Sequence, residues 1–286
     1  MTEPPIVLPD FEEFGDQTFK GLETPEEATT ASQALLKEDR DSGQPRIPHP
    51  GALHVTLERG IHRDGTWHRD AEVRELTGAD EEAIAAAGTN SFRVFETLLL
   101  RGVRTIGDEF MSKKIAAELL IGDRELLIMA IRRATFGDDL EFERIPCPHC
   151  SELVDLTVPL DAVPLVHLDE HDRIEYEVPL RHGDTAVVRL PTGDDQAAVL
   201  AIQGGNGAKQ DSEILGRCVL RIRHTDGSET RRPSAADLRM GDRRTILSFL
   251  ADTQPGPRYG DFSFVHETCG EEVPLPISLA VLFRGM

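Results

Sequence analysis

IPCPHCSELVDL, residues 145–156, sets Cys147 and Cys150 in a CxxC spacing at the head of a stretch that alternates apolar and polar residues. A CxxC pair is either half of a metal site or a redox dithiol, and its surroundings decide which. The rest of the chain supplies a second half. His266-Glu-Thr-Cys269 follows Cys147-Pro-His-Cys150 at a constant offset of 119 residues, 147 to 266 and 150 to 269. The match runs on beyond the turns, pairing Glu152 with Glu271, Val154 with Val273, Leu156 with Leu275 and Val158 with Ile277. Two such turns facing each other offer three thiolates and one imidazole, the closed tetrahedral set that structural zinc takes. The expectation is a zinc ribbon split by a long insertion, with Cys147, Cys150, His266 and Cys269 as ligands. Zinc is then a structural cofactor with no open position for catalysis. His149, inside the first turn, is the alternative imidazole. The plain alternative to a metal is a surface histidine and core thiols.

Three other motifs invite chemistry. CPHC resembles the active-site tetrapeptide of the bacterial periplasmic disulfide oxidoreductases, which needs a cysteine at a helix N-terminus. Here SELVDLTVPL alternates like a strand and contains Pro159. HLDEH, from His167 to His171, fits the H-x-x-E-H pattern of inverted zinc peptidases, which must lie on a helix. Pro164 before it and the strand-like RIEYEVPL after it leave no room for one. QGGNGAK, from Gln203, lacks the spacing of a phosphate loop and reads as a helix-to-helix connection. Cys218 reads as a small buried hydrophobe. No nucleophile elbow and no dinucleotide fingerprint occurs, so no catalytic residue and no organic cofactor is expected, and the chain reads as a non-enzyme.

Composition narrows the partners. The 286 residues, 39% apolar, suffice for a sizeable core. The 51 acids against 31 bases, a net charge of −20, repel phosphate backbones and speak against nucleic acid. Four cysteines suit metal ligands or core thiols better than structural disulfides. There is no charged-then-apolar leader and no apolar run of spanning length, so a cytoplasmic protein without membrane insertion is expected.

Along the chain, residues 1–51 carry seven prolines among many acids. They predict an arm that is largely disordered alone and folds onto a partner. Residues 52–146 predict a strand hairpin and a helical unit: LHVTLERG with an Asp64-Gly65 turn, then three helices. ADEEAIAAAG is capped by Asp80. NSFRVFETLLLRGVRTIG places Phe92, Phe95, Leu99, Val103 and Ile106 on one face. GDRELLIMAIRRATFG runs from a capping Asp123 to Gly137. Residues 147–286 predict the split ribbon with an inserted α/β region. Its strands are LVDLTVPL, RIEYEVPL, TAVVRL and DFSFVHETCGEEVPLPI. Its helices are PTGDDQAAVLAIQG, capped by Thr192 or Asp194, SEILGRCVLRIRH, SAADLRMGDRRTILSFLAD and a short SLAVLFRGM. The predicted fold class is α+β: a small helical unit plus a mixed α/β region closed by the split ribbon.

The order of VRELTGADEEAI, SFRVFETLLLRGVRTIG, GDRELLIMAIRRATFGDDLEFERIPCPHC, RLPTGDDQAAVL and a terminal CG-containing strand resembles the bacteriophage base-plate (hub assembly) protein family. That family occurs with contractile phage tails and phage-tail-like contractile injection systems. The resemblance covers roughly residues 72 to 286. It implies a non-enzymatic structural or assembly role at a base plate, with other tail proteins as partners and a place within an assembled tail-like particle. Cys147, Cys150 and Cys269 match the family's metal-turn positions, and His266 stands where a cysteine is usual. A zinc-ribbon adaptor unrelated to tails is the alternative, ahead of a thiol oxidoreductase or a metallopeptidase.

Overall fold

The computed structural model describes residues 52–202, 206–275 and 277–283. The acidic arm and residues 203–205 of the glycine-rich stretch lie outside the described residues. β1 (Leu53–Arg63) and β2 (Thr66–Val73) form a hairpin whose turn puts Asp64 at φ 49° and Gly65 at φ 80°. Two successive left-handed residues are what a tight hairpin of right-twisted strands requires. α1 (Gly78–Ala86) and α2 (Ser91–Gly102) follow, then β3 (Val103–Ile106) and β4 (Glu109–Phe110), completing an antiparallel sheet in the order β1-β2-β3-β4. α3 (Lys113–Glu118), α4 (Ile121–Phe136) and the hairpin of β5 (Asp139–Pro146) and β6 (Leu153–Pro159) come next.

After β7 (Leu165–Val166) the same order begins again. β8 (Tyr176–Pro179) and β9 (Thr185–Val188) are a hairpin. α5 (Gly193–Leu200), α6 (Gly207–Cys218), β10 (Val219–Arg223) and β11 (Glu229–Arg231) follow, giving a sheet in the order β8-β9-β10-β11. α7 (Met240–Thr253), β12 (Gly256–Pro257) paired with β7, the hairpin of β13 (Ser263–Val265) and β14 (Glu272–Pro274), and α8 (Leu279–Leu282) close the chain.

The repetition reaches single side chains. Thr77 and Asp80 form a capping box on α1, with Arg74 bidentate on Asp80 at 2.8 and 2.9 Å. Thr192 and Asp195 form the same box on α5, with Arg189 on Asp195 at 2.6 and 2.8 Å. Asn90 caps α2 and Asn206 caps α6. Each of those helices runs without a loop into the third strand of its sheet. Gly-Asp-Arg recurs in the first turn of α4 (122–124) and of α7 (241–243). Asp123 accepts from the amides of Glu58, Arg59 and Gly60 in β1, and Asp242 accepts from Arg181 N after β8. The chain is therefore a tandem duplication. What reads in the sequence as an insertion between two cysteine turns is largely the second copy.

Each copy has its own core. The first gathers Leu57, Ile61, Val73, Leu99, Ile106, Leu127 and Ile131, and the second Tyr176, Val188, Leu215, Val219, Ile246 and Leu250. Cys218 lies fully buried in the second, and burial raises its thiol to about 12. The helices expected to bury one another also pack on the β1-to-β4 sheet, so the architecture is mixed α/β with small antiparallel sheets.

Four expectations change. SAADLRMGDRRTILSFLAD is not one helix: residues 235–237 make a separate 3-10 turn, and α7 begins only at Met240. The face expected to run from Phe92 to Ile106 ends at Gly102. There a Cβ would come within 2.5 Å of the Ile131 side chain, and Val103 and Ile106 instead pair with Val73 and Ala71. Likewise SEILGRCVLRIRH is helix only to Cys218. Asp80 and Asp123 are not the N-cap residues, which are Thr77 and Leu120: both carboxylates sit at the third position of their helices, Asp80 as the reciprocal half of the Thr77 capping box.

Candidate metal centre

β5 alternates, sending Leu140 and Phe142 into the first core while Glu141 and Glu143 face out. β6 returns Val158 to the same core. The short β13–β14 hairpin enters it with Phe264 and continues with Leu275 and Ile277. Both hairpins are thus rooted in one apolar mass, and the turns at their tips project together. The two turns are built alike. Cys147 N donates to Glu152 O at 2.8 Å and Ser151 N to Cys147 O at 2.9 Å. His266 N donates to Glu271 O at 2.9 Å and Gly270 N to His266 O at 2.7 Å. Ser151 (φ 63°) and Gly270 (φ 72°) take the same left-handed conformation just after the second ligand position.

The structure brings together all four residues singled out in the sequence. One ligand atom from each of Cys147, Cys150, His266 and Cys269 lies within 4.8 Å of every other. Cys147 Sγ and Cys269 Sγ are 3.8 Å apart; His266 Nδ1 is 3.4 Å from Cys150 Sγ and 3.2 Å from Cys269 Sγ. A tetrahedral site with metal–sulfur bonds of about 2.3 Å and a metal–nitrogen bond of about 2.0 Å has sulfur–sulfur edges of about 3.8 Å and sulfur–nitrogen edges of about 3.5 Å. The donor set and its edges fit a four-coordinate metal ion.

Burial raises the Cys147 thiol, but the backbone N–H groups of Cys150 and His149, with the Cys150 and Cys269 thiols, outweigh it and bring the group to about 6. The backbone N–H of Glu152 lowers the Cys150 thiol, but burial and the neighbouring thiols of Cys147 and Cys269 outweigh it and move the group upward. His266 is 5% exposed and turns Nε2 toward Glu152 Oε2 at 3.8 Å. At that distance the carboxylate stands behind the imidazole as a nearby charge, beyond hydrogen-bond reach. Glu152 was not singled out in the sequence; the signal was its place two residues after Cys150. The alternative imidazole, His149, is exposed, with Nε2 3.3 Å from the Glu272 carbonyl.

The other motifs do not assemble. Cys147 lies in a hairpin turn rather than at a helix N-terminus. Residues 167–171 are not helical, and His167 Nδ1 bonds Glu58 Oε1 at 2.8 Å.

A family model described as T4 bacteriophage base plate protein matches residues 67–236, more than half of the 286. The match includes Cys147 and Cys150 and stops before His266 and Cys269. No curated protein and no solved structure matches the chain.

Proposed function

The chain belongs to the T4 bacteriophage base plate protein family, and from that premise we propose a non-enzymatic structural or assembly component of a contractile tail's base plate, in a phage or a phage-tail-like contractile injection system. Its partners are other tail proteins, and residues 1–51 are an arm that folds onto one of them. The protein works in the cytoplasm, within the assembling particle. Among the described residues no helix is long and apolar enough to cross a membrane.

Cys147, Cys150, His266 and Cys269 hold a structural zinc ion and make a split ribbon. Their convergence, from turns 119 residues apart in sequence, carries this reading. Zinc here supplies a cross-link between hairpins from the two copies. The turn amides favour thiolate at Cys147, and the Glu152 carboxylate lies behind His266. Four protein donors leave no position for a reacting water, in keeping with a role in assembly.

Metal analysis of the purified protein beside Cys147→Ser and His266→Ala tests the site. About one zinc per chain is expected, lost in both variants together with thermal stability; a metal-free, equally stable protein would refute it. The tail role is tested separately by tagging the protein and isolating tail particles. Association is expected, and its loss on deleting residues 1–51 with the core still folded; a protein that never associates removes the base-plate reading.

A further inference from the structure

One contact between the copies is made by two motifs that each copy carries. Ala116-Ala117-Glu118-Leu119, with Gly122-Asp123-Arg124 after it, recurs at an offset of 119 residues, 116 to 235, as Ala235-Ala236-Asp237-Leu238 and Gly241-Asp242-Arg243. Arg74, Thr77, Gly78 and Asp80 recur at an offset of 115, 74 to 189, as Arg189, Thr192, Gly193 and Asp195. At the junction the second copy's Thr-Gly turn sits on the first copy's segment before α4. Gly193 N donates to Leu119 O at 2.9 Å, Ile121 N donates to Pro191 O at 3.3 Å, and Leu120 and Thr192 form an antiparallel bridge. The approach needs a glycine, since a Cβ on Gly193 would lie 2.4 Å from Ala116 O. Gly193, Leu119 and Leu120 are buried by it.

Each copy also keeps the motif that this junction does not use. Gly78, the counterpart of Gly193, is exposed, and no described atom lies within 4 Å of a Cβ placed on it. Met240, the counterpart of Ile121, is 86% exposed. Leu76 O and Gly78 N correspond to the bonded Pro191 O and Gly193 N; Leu238 O and Met240 N correspond to the bonded Leu119 O and Ile121 N. None of these four outer groups has a hydrogen-bond partner among the described residues. The side chains change to match. Glu125 and Gln196 line one cleft at the junction. Their counterparts at the outer ends are Arg244 and Glu81, both exposed and of opposite charge. Two features of the same stretch are satisfied within the chain and take no part: the Arg181 side chain lies over Gly241, as Pro255 O lies over Gly122, and Arg239 is set against the Asp184 carboxylate.

We propose that copies of this chain associate head to tail, the Thr77–Gly78 turn of one docking on residues 235–240 of the next as Thr192–Gly193 docks on residues 116–121 within the chain. The exposed turn and the exposed segment then pair their free donors and acceptors, Gly78 admits the close approach, and Glu81 meets Arg244. Such an interface joins two different surfaces, so it closes into a ring or extends into a filament according to the rotation between chains. It stands apart from the base-plate reading, which neither requires nor supplies it.

Sedimentation equilibrium on the full chain tests it. The average mass should rise above that of one chain as concentration increases. Gly78→Gln places its side chain in open space at an ordinary φ, so it should leave the melting temperature unlowered while weakening association by at least about tenfold. Glu81→Arg and Arg244→Glu should each weaken association by about threefold or more, and the two together in one chain should restore it. A chain that stays monomeric up to about 1 mM, Gly78→Gln chains that associate as well as the parent, or a double variant no better than the single ones each overturns the proposal.

Discussion

Ser151 sits at φ 63°, where Gly270 in the matching turn sits at φ 72°. A side chain in that region costs about 1 kcal/mol relative to glycine. Ser151→Gly should therefore raise stability by about 0.5–1 kcal/mol, read as a higher urea midpoint at unchanged slope; a lower midpoint would show the serine doing something else. Asp195 offers a pH prediction. Burial raises its carboxyl, but hydrogen bonds from Arg189, Thr192 and Arg217 outweigh it and hold it at about 2. A carboxyl depressed on folding stabilises above its unfolded value and loses that contribution as pH falls from about 4 toward about 2. The loss is on the order of 2 kcal/mol, and Asp195→Asn should remove it from the acid limb of a stability–pH profile. Residues of this kind were only half legible. Thr192 was one of two caps read from the sequence, while the two arginines that fix Asp195, one of them 22 residues away, were not foreseen.

At the scale of the element, α4 shows how a helix found in about the right place can hide a wrong role for one of its residues. Asp123 reads as a cap, yet it lies inside the first turn and gives its carboxylate to β1, accepting from Glu58 N at 2.6 Å, Arg59 N at 3.2 Å and Gly60 N at 2.8 Å. Those amides belong to an irregularity between Thr56 and Ile61, where Gly60 takes φ 74° with no room for a Cβ beside His68 O. Asp123→Ala should cost about 3 kcal/mol or more by leaving buried donors unpaired. Asp123→Asn, which keeps one acceptor oxygen, should cost less, and equal losses by calorimetry would contradict the clamp. The α2–β3 junction is ambiguous in the sequence for a related reason. Leu99, Val103 and Ile106 satisfy helical spacing, but Val103 to Ile106 is also a β-branched strand, and the open edge of β2 decides between them. Periodicity is local, whereas strand pairing depends on residues thirty positions away.

For the whole molecule, the proposed metal joins the tips of two hairpins rooted in the first core, while α4 is held by both copies. Chelation should lower the melting temperature. In hydrogen exchange it should release β13 and β14 first and leave the amides of α4 protected; simultaneous release would mean that the ribbon and the first core form one cooperative unit. The sequence by itself determined the two cysteine turns, the hairpin at Asp64-Gly65, most helix positions and the family resemblance, because each rests on spacing, turn chemistry or ordered motifs within a short window. Only the tertiary structure decided that the two turns converge, that Glu152 backs His266, and that the intervening chain repeats the fold of the first half. The copies share few residues beyond their caps, clamps and turns. Their likeness lies in which strand pairs with which and which amide each carboxylate reaches, and those relations exist only once the chain has closed on itself.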